Sequence, residues 1–228
     1  MISEQLTIAD RSLTRAEVEA LARKGTPMAL ARCGLEEVDL SGLDLQGWHF
    51  ASCSLKGTRF VGAKLEATRW TGGRGGFAQF TGADLREAVF RSVDFNNSDF
   101  RGASMGSASF VGCKLTGANL SEVKSLDLHF EETLLAGAKL HKFSFRKAHL
   151  KQLDFQQADL RQCDFRDAVF EQCSLRDANL VDARFEGADL RGADLGGVRL
   201  MDAKRFKGAV ISRAQASALL GELGLKVQ

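Results

Sequence analysis

The stretch Ala83-Asp84-Leu85-Arg86-Glu87-Ala88-Val89-Phe90-Arg91-Ser92-Val93-Asp94-Phe95 decides how this 228-residue chain folds. A large apolar residue stands at 85, 90 and 95, and a smaller one stands two places before each. Followed outward, the same register runs from Leu35 through Leu40, Leu45, Phe50, Leu55, Phe60, Leu65 and Trp70, and on through Phe80, Phe100, Phe130, Leu160 and Phe185 to Leu200. Gly75 and Ser125 are its two breaks. A period of five matches neither the helical 3.6 nor the strand period of two. A fixed period over most of a chain marks a repeat architecture.

The slot two before each large residue holds Ala at 63, 83, 88, 103, 108, 118, 158, 178, 183, 188 and 193, and the residue between is often Asp or Asn, as in Ala118-Asn119-Leu120 and Ala158-Asp159-Leu160. This pattern resembles the pentapeptide-repeat family, whose unit is approximately Ala-Asp/Asn-Leu/Phe-X-X. The resemblance covers residues 35–205, and residues 28–34 read as a degenerate first turn. It implies an all-β solenoid: a right-handed quadrilateral parallel β-helix of about eight coils, four pentapeptides to a twenty-residue coil. At a strand spacing of about 4.8 Å the rod would be roughly 40 Å long. Charges twenty residues apart agree with that coil length. Glu131, Lys151, Glu171 and Arg191 alternate in sign, as do Asp127, Lys147 and Asp167, and Glu122 falls under Lys142.

A narrow interior takes one large and one small side chain per side, because two large ones would overpack it. The other three residues face water, which accommodates 26% charged residues around one continuous core. Phe50, Trp70, Phe90, Phe110, Phe130, Leu150 and Phe170 then form an interior column, read as core rather than as a ligand groove. Of sixteen Phe, only Phe77, Phe143 and Phe206 fall outside the large slot. Cys33, Cys53, Cys113, Cys163 and Cys173 all fall in the small slot, where free Cys acts as a small hydrophobe. Their odd number and the lack of any Cys-X-X-Cys pair point to reduced thiols.

Both ends of an open β-helix need covering. Thr14-Arg15-Ala16-Glu17 is a capping box with Leu13 and Val18 as its hydrophobic staple, predicting a helix over 15–24 that stops at Gly25 before Pro27. Ser212-Arg213-Ala214-Gln215 is a second capping box. It predicts a helix to about Leu223 with Gly224 as its stop and an apolar stripe of Ala216, Leu219, Leu220 and Leu223. The organisation expected is a cap at 1–34, the β-helix at 35–205 and a capping segment at 206–228. The tail 215–225 is similar to that of the family's quinolone-resistance branch, which implies a homodimer through Leu219, Leu220, Leu223 and Leu225.

Gly72-Gly73-Arg74-Gly75-Gly76 reads as a bulge or small loop leaving a core gap, with Arg74 and Phe77 as a candidate contact point. Around Ser125, with Leu126 turned outward and Leu134 nearby, the register predicts a local distortion. No catalytic constellation stands out. His129 and His149 would stack in adjacent coils, but no further ligand joins them, so they read as surface histidines and no metal or cofactor is expected. The Asp residues before the large slot belong to the repeat and lie on flat faces without a cleft. The chain is expected not to be an enzyme.

The formal net charge is +2, which weighs against the DNA mimicry of the family's topoisomerase-binding branch. Basic residues gather at Lys139, His141, Lys142, Arg146, Lys147, His149 and Lys151. Arg146 over Arg166, beside the column Arg101, His141 and Arg161, is read as the least compensated face and the candidate partner-binding surface. No aromatic residue is interleaved there, so direct nucleic-acid binding is not expected. Neither a signal peptide nor a transmembrane run is visible, so a cytoplasmic protein is expected. The resulting reading is a protein-interaction scaffold, with a loose similarity to bacterial secretion adaptors and effectors. The alternative is a type II topoisomerase-binding protein.

Overall fold

A computed structural model describes residues 6–197, 203–222 and 224–226. The chain forms two compact units, residues 1–129 and 130–228. Both are built from parallel coils in which each residue meets the one twenty positions on. In the first unit the four sides of a coil are marked by the bridges Ser54 to Arg74, Arg59 to Gln79 and Lys64 to Asp84, and by the strand pairing of Arg69 with Val89. In the second unit the same four ladders join Asp154 to Ser174, Asp159 to Asn179, Asp164 to Arg184 and Val169 to Asp189. One side of each coil is a three-residue strand. The first unit holds β1 (Thr7–Ala9), β2 (Ala29–Ala31), β3 (His49–Ala51), β4 (Arg69–Thr71), β5 (Val89–Arg91) and β6 (Ser109–Val111). Strand β7 (His129–Glu131) lies at the division of the chain. The second unit continues with β8 (His149–Lys151) and β9 (Val169–Glu171), and a separate pair of two-residue strands, β10 (Cys173–Ser174) and β11 (Ala193–Asp194), forms a sheet of its own.

The large and small slots are buried as the register requires. In the first unit Phe50 stacks on Trp70 at 4.0 Å, Phe90 on Phe110 at 4.3 Å, and Phe80 lies between Phe60 and Phe100 at 5.0 and 4.7 Å. In the second, Phe145, Phe165, Phe185 and Phe206 form a run of near-parallel rings. Phe206 therefore does occupy a large slot. The strict five-residue register misses it because Asp189 bridges Val210, one residue later than the twenty-residue step. Phe143 fills a small slot and is buried against Phe145. All five cysteines are free and buried, several giving their thiol hydrogen to a carbonyl of the preceding coil, such as Cys163 to Leu140 at 3.1 Å.

Gly72–Gly76 is neither a bulge nor a gap. Arg74 bridges Ser54 and Asp94 in register, and the ring of Phe95 tips into the space that a side chain at 75 would fill. A Cβ on Gly75 would lie 2.2 Å from a Phe95 ring carbon. Near the other break the coil stays in register through the Ser104–Lys124 bridge, yet Val123, Ser125 and Leu128 are only half-buried and Leu126 is 79% exposed.

The ends are closed by helices whose side chains cover both apolar surface and backbone. Helix α1 (Arg15–Ala22) begins at Thr14 with the complete capping box, and buries Leu13 and Val18. Its Arg15 donates to the carbonyls of Asp39 and Ser41. Strand β1, which the repeat register does not predict, pairs with β2 and adds a ladder ahead of the first coil. Helix α2 (Arg213–Glu222) starts with the predicted box: Gln215 N–H donates to the Ser212 hydroxyl and Ser212 N–H to the Gln215 side-chain oxygen. The Gln215 amide also donates to the carbonyls of Leu190 and Ala193, at 2.7 and 2.6 Å. One side chain thus adds a second donor to the Leu190 carbonyl, which also accepts the Ala193 N–H, and supplies one to the Ala193 carbonyl at the coil end.

Candidate interaction surface

Three positions of each pentapeptide face outward, and the aspartate before the large residue has a local structural task. Its Oδ1 accepts the backbone N–H two residues on, as in Asp94 to Asn96, Asp154 to Gln156 and Asp99 to Arg101. This Asx turn explains why Asp and Asn recur there. Where the residue two on is arginine, the guanidinium folds back and closes a forked pair. Arg161 donates to both oxygens of Asp159 at 2.7 and 2.6 Å, and Arg166 to those of Asp164 at 2.8 and 2.6 Å. Arg86 with Asp84 and Arg191 with Asp189 repeat this geometry. The arginine beside each of these four carboxyls holds it below the ordinary aspartate range.

These clasps correct the charge reading of the candidate face. Arg161 and Arg166 are compensated within their own coils, and Arg101 of the first unit pairs with Asp99 at 3.5 Å. The sequence reading looked for partners twenty residues away and missed those two residues away. Asp-X-Arg triplets at 84–86, 99–101, 159–161, 164–166 and 189–191 carried the signal. The twenty-residue ladders hold in part. Lys151 meets Glu131 at 2.9 Å, but Glu171 meets His149 and Arg191 turns to Asp189.

Arg146 is different, because Ser144 stands where its clasping aspartate would be. Lys139 likewise replaces the Asp or Asn of its own repeat. Lys139, Lys142, Arg146 and Lys147 are exposed and form no ion pair among the described residues. His141 is half-buried between them, near enough to Asp159 to help lower its pKa.

The other candidates separate. Phe77 is 56% exposed and adopts φ +63°, and Arg74 is exposed beside it. On α2, Leu219 is buried against the coil and Leu220 is exposed, as are Val210 and Ile211 before the helix and Leu225 after it. Leu223 lies outside the described residues. No group of three or more His, Cys, Asp or Glu is arranged to hold a metal among the described residues, and no described helix is long and apolar enough to cross a membrane. Burial pushes the thiols up, Cys53 to about 11 and Cys163 to about 12.

Residues 33–69 and 78–121 match the family described as pentapeptide repeats (8 copies), and residues 138–215 match that described as a pentapeptide repeat region. No curated protein sequence matches the chain. Among solved structures, full-length QnrB1, a plasmid-mediated fluoroquinolone resistance protein, aligns over 97% of this chain and 98% of its own with TM-score 0.64 and 19% identity. A trypsin-treated variant of QnrB1 aligns over 98% of both chains with TM-score 0.61 and 20% identity. At this identity the likeness is one of fold.

Proposed function

The chain belongs to the pentapeptide-repeat family, and from that premise we propose that it is a non-enzymatic protein-interaction scaffold. It acts in the bacterial cytoplasm, in a role of the secretion-adaptor or effector kind. The observation that carries this reading is the state of its outward charges. Asp84, Asp159, Asp164 and Asp189 are all held in the ionised form by their clasping arginines, and the cysteines are held as buried thiols. A general acid needs a raised carboxyl and a nucleophile needs an exposed thiolate, and these aspartates and thiols are neither. What it offers instead is flat, rigid faces with a few uncommitted side chains.

The alternative is a type II topoisomerase-binding protein that protects gyrase from quinolones. The full-length fold likeness to QnrB1 supports it, and the net charge of +2 weighs against it. Gyrase supercoiling with purified protein, with and without a quinolone at matched salt, separates the two. The scaffold reading expects no effect at micromolar protein; dose-dependent inhibition or drug protection replaces it with the alternative. In either case Leu220 and Leu225 are proposed to join two copies through the C-terminal helix. Sedimentation should then show a dimer for the natural chain and a monomer for Leu220→Glu/Leu225→Glu, and equal masses would remove that interface.

A further inference from the structure

We propose that the coil carrying Lys139, His141, Lys142, Arg146 and Lys147 docks a short acidic segment, rich in Asp and Glu, of a partner protein. The inference rests on the scaffold reading only in that a protein carries the carboxylates. Its basis is a local departure from the chain's own rule. Elsewhere in the second unit Asp159, Asp164 and Asp189 each close on the arginine two residues ahead. In the 139–147 coil both aspartate positions are lost, to Lys139 and Ser144, and Arg146 is left with its guanidinium open to solvent.

The backbone adds a second observation. Lys142 and Lys147 stand at the left-handed corners of this coil, with φ +65° and +59°. Such corners are taken by glycine, as at Gly137 and Gly187, and as readily by polar residues, as at Gln152, Gln157, Gln162 and Asp167 in the same unit. Arg32, the other cation at a left-handed corner among the described residues, is held by Asp10. Lys142 and Lys147 have no such ion-pair partner among the described residues. Their positions are fixed all the same: Lys142 N–H donates to Arg161 and Lys147 N–H to Arg166, each at 2.9 Å. The main chain of the site then needs no ordering when a partner arrives, and the cost that remains is that of the exposed side chains.

The extent of the patch selects the partner. The next coil places Asp159, Asp164 and Asp167 in line with Lys139, Ser144 and Lys147. A duplex needs a continuous track of cations for its phosphates, whereas here Asp159 and Asp164 of the next coil are already closed by Arg161 and Arg166 and the open cations end with the 139–147 coil. A short carboxylate segment can follow that single coil.

The test uses the full chain, a fluorescent Asp/Glu-rich peptide, duplex DNA of matched charge and phosphatidylserine vesicles, all at the same ionic strength. The peptide is expected to bind best, with affinity that falls as salt is raised. Lys142→Glu/Arg146→Glu should weaken it by about ten-fold or more. Ser144→Asp, which restores the missing clasp, should weaken peptide binding without lowering the unfolding midpoint, a result that simple misfolding would not produce. Arg86→Glu in the first unit should leave it unchanged. Tighter binding of DNA or vesicles than of peptide overturns the proposal, as does peptide binding indifferent to both 139–147 variants or no peptide binding at all. Gyrase inhibition would remove the scaffold reading without altering any of these outcomes.

Discussion

Gly75→Ala should destabilise the protein although it moves the sequence toward its own repeat, where position 75 ought to be large. The added Cβ would lie 2.2 Å from one Phe95 ring carbon and 2.5 Å from another, and 3.3 Å from the Leu55 Cβ. Carbon pairs settle at about 3.5–4.0 Å, so the ring must withdraw by roughly 1.5 Å. It now stands edge-on to Trp70, Phe80, Phe90 and Phe100 at centroid distances between 5.3 and 6.1 Å. Contacts of this kind contribute about 0.5–1.5 kcal/mol each beyond burial. Losing part of all four places the cost at about 2–3 kcal/mol, within the range for overpacked cores. In thermal unfolding followed by circular dichroism this is a fall of roughly 5–10 °C. The cause is isolated by a cycle with Phe95→Ala. That change alone should cost about 3–5 kcal/mol, and once the ring is gone the methyl at 75 should cost roughly 0.5 kcal/mol or less, a coupling of about 2 kcal/mol. If Gly75→Ala is neutral by itself, or equally costly with and without the Phe95 ring, the account of the glycine run is refuted.

At the C-terminal end, Gln215→Ala removes the donors to the Leu190 and Ala193 carbonyls. The urea midpoint should drop by the equivalent of about 2 kcal/mol, while deleting 212–228 should cause aggregation or dissociation visible by size-exclusion; an unaltered profile for both would show that α2 is not a cap. The clasped carboxyls of Asp84, Asp159, Asp164 and Asp189 titrate lower folded than unfolded. Their stabilisation is therefore complete above the unfolded aspartate pKa of about 3.9 and is lost as pH falls below it, through the depressed folded values. Urea midpoints should be level from neutral pH down to about 5 and fall below about 4, and a fall beginning near neutrality would contradict the clasps. Because burial holds Cys53 near 11 and Cys163 near 12, a thiol reagent at mildly alkaline pH should label neither until the chain is unfolded, and rapid native labelling would put these thiols at the surface.

The legibility of this chain follows the range of the forces involved. The apolar register could be read because every coil makes the same demand at the same place: Leu35, Phe60, Leu85 and Phe110 are all interchangeable answers to one narrow interior. Both capping boxes were equally visible, since they bind within four residues. What escaped the sequence depended on how coils settle on one another. Phe206, half-buried, joins the ring stack on Phe185 through a one-residue slip, and Phe95 fills the place of a residue twenty positions back. The charges were misread for a different reason. A twenty-residue ladder invites pairing along the stack, but stacked side chains must reach across a fixed strand spacing, whereas Asp and Arg two apart leave the same side of one turn. The shorter closure wins at Asp159, Asp164 and Asp189. Residues that look cationic in a linear reading, such as Arg161 and Arg166, are thereby neutralised. Among the coils of the second unit, four open cations gather on the one that lacks the aspartates, so the position that identifies the candidate surface is Ser144, a residue with no charge of its own.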